Sequence, residues 1–262
     1  MSEFLDAVEL RARAARAGWG PVRVVSATDS TNADAAAAAR AGAQAGLVVA
    51  SPHQRAGRGR FDRVWTTPPD TCVALSVLVR PRRPLAAWGW LSLLAGMAVV
   101  DGLRAASGVP AVLKWPNDVL IGGRKVCGIL SEAVAAPGAP AAVLGMGLNI
   151  ALRDEDLPVP TATSLLLEGS TAPAAEVAAA ILDALAGWYA RWDAGEPLGD
   201  AYRDRCDTLG RAVRVLVPGG QVEGTASGVD ADGALLVSTA AGQRAFAAGD
   251  VVHLRPAERG ER

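Results

Sequence analysis

Residues that usually carry chemistry are scarce in this chain of 262. Its three cysteines, Cys72, Cys127 and Cys206, lie far apart and form no Cys-x-x-Cys pair, and its only histidines are His53 and His253. No zinc site is suggested, so the metal-ligand set is read as none, and the compartment is read as the reducing cytoplasm. Neither histidine stands in a motif suited to a general base. There is no G-x-x-x-x-G-K-[ST] phosphate loop, no G-x-G-x-x-G fingerprint and no G-x-S-x-G elbow. The formal net charge is -1, which gives no bulk attraction to nucleic acid or to an anionic membrane surface. The N-terminus is charged throughout and lacks a signal-peptide core. The longest uncharged apolar stretch, Leu85 to Val100, contains Gly89 and Gly96 and is shorter than the ~20 residues a spanning helix needs. It reads as a core helix. There is no internal repeat.

What is present is globular: 50% of residues are hydrophobic and 20% charged. The periodicity predicts a helix over 2–17, a strand over 22–25, and a helix from Thr31 to about Ala41, with Thr31 and Asp34 forming a capping box and Gly42 the stop. "GLVVAS" and "CVALSVLV" are buried strands. The Arg/Gly segment between them is a loop. A long helix runs from Leu85 to about Ala106. "AVLKW" is a strand. "DVLI-GG-RKVCGILSEAV" is a hairpin on Gly122-Gly123, and "AAVLGMGLNIAL" is a further strand. Apolar residues recur at helical spacing from Ala172 to about Trp192. After Leu209 come short β-like runs ("AVRVLV", "VEGTASGV", "ALLVS", "VVHL") with Pro-Gly-Gly and Asp-Gly turns, the pattern of a small barrel. The expected division is 1–207 and 208–262.

Two clusters carry the chemistry. "AGRGRFDRVW", residues 56–65, together with Arg55 gives four arginines in nine residues. Gly57 and Gly59 let backbone approach a ligand, and guanidinium forks suit carboxylate and phosphate. Taken alone, this fits a solvated basic loop or a weak RNA contact better. The second cluster is "KWPND", Lys114 to Asp118, followed by "GRKVCGIL". Lys114 and Lys125 flank the predicted hairpin and could face one site, although, taken alone, a turn capped by Asn117 and Asp118 with surface lysines explains the pattern better.

The order "DSTN", "Q-x-A-G-R-G-R", "W-x-x-P", "KWPND", "GRK-x-x-GIL-x-E", "GMGLNI" resembles the catalytic domain of biotin protein ligases, over roughly residues 20–256. The resemblance implies an α/β (α+β) mixed-sheet catalytic domain related to class II aminoacyl-tRNA synthetases, followed by a small SH3-like β-barrel. It implies a ligase that makes biotinyl-adenylate from biotin and ATP, with Mg2+ accompanying the nucleotide, and then modifies a lysine of a biotin carboxyl carrier protein. Carried over by position, it places Ser30, Thr31, Asn32, Gln54, Gly57, Arg58, Gly59, Arg60, Lys125 and Gly128 at biotin. It places Arg58, Arg60, Arg63, Trp65, Lys114, Asn117, Lys125 and Asn149 at ATP or the adenylate. Lys125, Arg60 and Asp118 would act in catalysis, Asp118 by orienting the acceptor amine. All these residues precede Ile150, so the tail is expected to be an autonomous β-fold that assists ATP use or carrier modification without forming biotin's pocket. A lipoate or octanoate ligase on the same fold, or a regulatory binding module, stays open. Where the family usually carries glycine, this chain has Asp62 and Asp70. Asp tolerates the left-handed region better than most residues, and Asp62 is expected to face outward toward Arg55 or Arg63. Too few residues precede the first strand for a helix-turn-helix, so no DNA contact is expected. The chain could be a monomer or a homodimer.

Overall fold

The structure, a computed structural model, describes residues 4–217 and 220–254, apart from the side chain of Asp62. Residues 2 and 3 of the expected first helix, and the Pro218-Gly219 part of an expected turn, lie outside the described residues. Helix α1 (Ala7–Arg16) starts later than its periodicity suggests because Asp6 caps it, accepting from Val8 N at 2.8 Å and Glu9 N at 3.1 Å. Strand β1 (Val22–Val24) leads to α2 (Thr31–Arg40). The cap of α2 is Ser30, not Thr31. Ser30 is extended (φ -159°) and its Oγ accepts from Ala33 N, while Asp34 instead accepts from Thr28 Oγ1 at 2.7 Å.

The remaining elements of the first unit are β2 (Val48–Ser51), β3 (Gly57–Arg58), β4 (Val64–Trp65), β5 (Cys72–Val79), α3 (Trp90–Ser107), β6 (Ala111–Lys114), β7 (Asp118–Ile121), β8 (Arg124–Val134), β9 (Ala141–Asn149), α4 (Ala174–Asp193) and the five-residue α5 (Gly199–Arg203). Seven strands form one mixed sheet, in the order β1-β2-β5-β9-β8-β7-β6, parallel only at β1-β2. Strand β5 is buried at every position, which is why its sequence is a continuous apolar run. Val73, Leu75, Val77 and Val79 face α3 and α4, while Leu78 joins the alanines of α2 on the other side. The apolar stretch from Leu85 opens with a 3-10 turn before α3. By length and composition alone, Leu85–Ser107 could cross a membrane, and its most apolar window is 67% buried inside the fold.

The second sheet is antiparallel: β10 (Ala212–Val217), β11 (Gly220–Val229), β12 (Leu235–Thr239), β13 (Gly242–Phe246) and β14 (Asp250–His253), in the order β13-β12-β11-β10-β14. Strand β13 escapes sequence reading because four of its five residues are exposed and it has no apolar run. The short α5 escapes it for lack of length. This tail packs directly on the first unit. Val213, Val215, Leu235 and Val251 belong to the same apolar core as α3 and α4. Trp90 Nε1 donates to Asp230 O at 3.0 Å and Trp115 Nε1 to Gly233 O at 3.3 Å, so indoles of the first unit pin the β11–β12 turn.

Candidate active site

A cavity of about 570 Å3 opens between the large sheet, the β3–β4 segment and the tail. One wall is a closed hydrogen-bond network. Gln54 Oε1 accepts from Thr31 N at 2.8 Å and from Thr31 Oγ1 at 3.1 Å. Ser76 Oγ lies 2.6 Å from Asn32 Oδ1 and 2.8 Å from Thr31 Oγ1. Asn32 Nδ2 donates to Leu130 O at 3.1 Å and Glu132 Oε2 at 2.7 Å. Strand β9 admits this only because residue 145 is glycine: a Cβ there would stand 2.1 Å from Asn32 Oδ1. Ser30, Thr31, Asn32 and Gln54 are all buried.

The opposite wall is charged. The Arg/Gly segment is a hairpin and not the expected loop. Gly57 pairs with Trp65 and Arg58 with Val64, and Gly59 N donates to Arg63 O at 2.6 Å. Phe61 takes the left-handed conformation at its tip (φ 54°). The arginines splay to separate anchors. Arg58 pairs with Glu132 at 3.0 Å, Arg60 donates to Asn117 Oδ1 at 3.2 Å and to Gly249 O at 3.3 Å, and Arg63 pairs with Asp250. Burial lowers the Arg60 pKa, Asp250 and Asp118 oppose that, and Arg63 adds to it. The Asp62 side chain lies outside the described residues. Of its two expected partners, Arg55 pairs with Asp29 at 2.8 Å and Arg63 with Asp250. Asp70 does adopt the left-handed conformation (φ 57°).

Lys125 reaches this wall through an irregularity. In the β7–β8 ladder, Asp118 pairs with Gly128 and Val119 with Cys127, but Leu120 pairs with Lys125, so Val126 is an extra residue. A plain ladder would put Lys125 on the Cys127 face. The bulge inverts the alternation and turns Lys125 toward Asp118 and Gly128. Lys125 Nζ lies 2.5 Å from Asp118 Oδ1 and 5.6 Å from the Trp65 ring centroid. Behind it, burial pushes the Cys127 thiol up to about 12, with nearby Lys125 opposing and Asp118 adding, so that thiol stays neutral. Lys114 stands opposite Asp118 across β6–β7. Asn117 Nδ2 donates to Ile129 O at 2.9 Å, and Asn149 Nδ2 donates to Thr163 O at 2.9 Å. Asn149 Oδ1 and Trp65 Nε1 are buried without a hydrogen-bond partner.

Every residue that the resemblance placed at ligand lines this cavity except Gly57. A Cβ at Gly57 would lie 2.4 Å from Trp65 O, so this glycine serves the close pairing of the hairpin strands. Two residues went unassigned. Glu132 was visible as the last letter of "GIL-x-E", and Ser76 as the one polar residue in "CVALSVLV". From the tail, Leu216, Asp250, Val251 and Val252 also line the cavity. Their proximity depends on tertiary packing that no local pattern encodes.

Residues 24–149 match the biotin/lipoate A/B protein ligase family, and residues 208–254 match the biotin protein ligase C-terminal domain. The chain is 44% identical over 249 residues to the biotin–[acetyl-CoA-carboxylase] ligase of Mycobacterium tuberculosis, covering 92% of each. The chain belongs to the biotin protein ligase family. A biotin–[acetyl-CoA-carboxylase] ligase of Paracoccus denitrificans is 36% identical, covering 86% of this chain and 97% of that protein. Among solved structures, the Aquifex aeolicus biotin protein ligase in complex with biotin and ATP superposes with a TM-score of 0.76 at 23% identity, over 91% of this chain and all of that one. The biotin protein ligase architecture is therefore present here: a mixed-sheet α/β domain followed by an SH3-like tail.

Proposed function

We propose that this cavity condenses biotin with ATP to give biotinyl-5'-adenylate and pyrophosphate, and then passes the biotinyl group to a lysine of a biotin carboxyl carrier domain. The observation that carries the reading is the pairing of a buried, hydrogen-bonded polar wall with a cationic wall in one cavity. The first suits a neutral ring rich in donors and acceptors, and the second suits two anions that must meet. We assign Ser30, Thr31, Asn32, Gln54, Arg58, Gly59 and Gly128 to biotin. Arg60, Arg63, Trp65, Lys114 and Asn117 face the nucleotide. The unpartnered Asn149 Oδ1 is an acceptor for an adenine amine.

In the first step a biotin carboxylate oxygen attacks the α-phosphorus, and the bond to the departing pyrophosphate breaks. Both reactants are anionic, so Lys125 and Arg60 lower the repulsion and stabilise the charge that develops on the phosphoryl oxygens. In the second step the acceptor amine attacks the acyl carbon and AMP leaves. Asp118 orients that amine. Magnesium would supply further neutralisation of the ATP phosphates. The described carboxylates of the cavity, Asp118 and Asp250, are both ion-paired, and no group of three metal-ligating side chains occurs among the described residues. The fitting arrangement is a magnesium ion carried by the nucleotide.

The C-terminal match over 208–254 is to biotin ligases specifically, which favours biotin over lipoate or octanoate. The carrier of acetyl-CoA carboxylase, named in the M. tuberculosis relative, is the first acceptor to test. Three buried free thiols fit a cytoplasmic setting. The deciding assay is ATP/pyrophosphate exchange with biotin or lipoate, followed by transfer of labelled biotin to a carrier domain. Exchange that responds to lipoate and ignores biotin would refute the substrate assignment.

A further inference from the structure

The ion pair between Lys125 and Asp118 has a consequence for the order of the two steps. Lys125 Nζ lies 2.5 Å from Asp118 Oδ1, so without an anion in the cavity these two groups satisfy each other. A carboxylate already bound to an ammonium ion at that distance is a poor acceptor for a second amine's proton. Their side chains are 33% and 24% exposed, so water screens the pair and it can exchange partners at small cost. The other charged groups around Asp118 are Lys114, opposite it on β6, and Arg60 from the hairpin.

We infer that Lys125 and Asp118 form an interlock: Lys125 masks Asp118 until the anionic reactants, the biotin carboxylate and the ATP α-phosphate, draw Lys125 away, and only then does Asp118 receive the acceptor lysine. This rests on the adenylation chemistry proposed above. The acyl phosphate competes for Lys125, and the incoming ammonium replaces it at Asp118, so the local charge stays balanced. Asp118 then takes one proton from that ammonium. The freed nitrogen pair forms the C–N bond, and the acyl C–O bond breaks with its electrons leaving on AMP. The second nitrogen proton goes to solvent. While the cavity is empty of these anions, Asp118 is unavailable and the acceptor is not activated.

The interlock predicts effects of opposite sign from one substitution. Asp118→Asn removes the competitor for Lys125, so biotin-dependent pyrophosphate exchange should rise, by up to about 5-fold. Single-turnover transfer from enzyme-bound adenylate to the carrier lysine should fall by about 100-fold or more. Transfer of the same adenylate to hydroxylamine, which is already neutral at neutral pH, should not fall. Parallel loss of exchange, carrier transfer and hydroxylamine transfer would show that Asp118 merely positions Lys125, and the interlock would be wrong. Melting curves accompany each assay, and Asp118→Ser is read the same way should the Asn variant not fold. Wild-type enzyme without biotin-dependent exchange would overturn the ligase reading itself. An exchange-competent wild type with a uniformly impaired variant would overturn only the interlock.

Discussion

The two walls of the cavity are built on different principles. On one, Thr31, Asn32, Gln54 and Ser76 hold one another in buried hydrogen bonds. On the other, Lys125, Arg58, Arg60 and Arg63 are tied to acids and backbone carbonyls that an anionic ligand can replace. A preformed wall suits a ligand that arrives unchanged and stays. A wall of exchangeable contacts suits groups whose charge changes during reaction. Substitutions should therefore fail in different ways: binding and stability on the first wall, rate on the second.

The sharpest test is Lys125→Ala. Removing a cation aimed at developing charge should lower biotin-dependent pyrophosphate release by about 10²–10³-fold. Its partner Asp118 is partly exposed, so the melting temperature should barely move. Near-normal release from a folded variant would dissolve the contrast.

Gly145→Ala attacks the preformed wall. The new Cβ would meet Asn32 Oδ1 at 2.1 Å, and Asn32 is fastened on both its oxygen and its nitrogen. Forcing it aside should destabilise the protein by about 1–3 kcal/mol and weaken biotin binding. Calorimetric titration with melting curves checks both. Unchanged affinity would mean that Asn32 does not shape the biotin site.

Asp250→Asn is milder. It releases Arg63, itself largely exposed, so the pair contributes only ~0–1 kcal/mol to stability. Pre-steady-state release of biotinyl-adenylate should nevertheless slow a few-fold, because Asp250 no longer competes with the anionic ligand for Arg63. An unaltered release rate in a stable variant would leave the tail without influence on the hairpin.

The walls were also unequally legible in the sequence. One part of the preformed wall follows from a local signal, the helix N-terminus at "DSTN", while Ser76 stands out only as the single polar letter of its strand. The Gly122-Gly123 turn was readable too, since both residues take positive φ (56° and 80°). The face that Lys125 occupies was not. It depends on one extra residue at Val126, and a bulge leaves no mark in hydropathy. Nor could the sequence show that Asp250 and Val252, over a hundred positions beyond Lys125, close the cavity. The motif order supplied residues that line the cavity, and tertiary packing supplied their partners.

The smallest expected effect concerns how the tail supports the charged wall. His253 on β14 has its Nε2 2.9 Å from Thr208 Oγ1, and that hydroxyl accepts from Trp115 N at 3.1 Å, next to Lys114. Burial lowers the His253 pKa; Lys114 and Arg211 add to this, and Asp207 opposes it. The folded imidazole thus binds a proton less readily than the unfolded one, whose ordinary value is 6.5. Below that value the unfolded chain takes up more protons, so this contribution to stability is complete above it and is lost as the pH falls toward the depressed folded value. Protonation also turns Nε2 into a donor, so Thr208 Oγ must then accept from both neighbours. Melting curves of wild type and His253→Asn at about pH 7.5 and about pH 5.5 isolate the effect, since other titrating groups cancel in the difference. Wild type should lose on the order of 2 °C more than the variant on acidification. If Lys114 holds the nucleotide as proposed, adenylation should weaken at acid pH before biotin binding to the preformed wall does. If the variant loses as much stability as wild type, His253 does not couple the tail to the charged wall. If biotin binding weakens first, the division between the two walls is drawn in the wrong place.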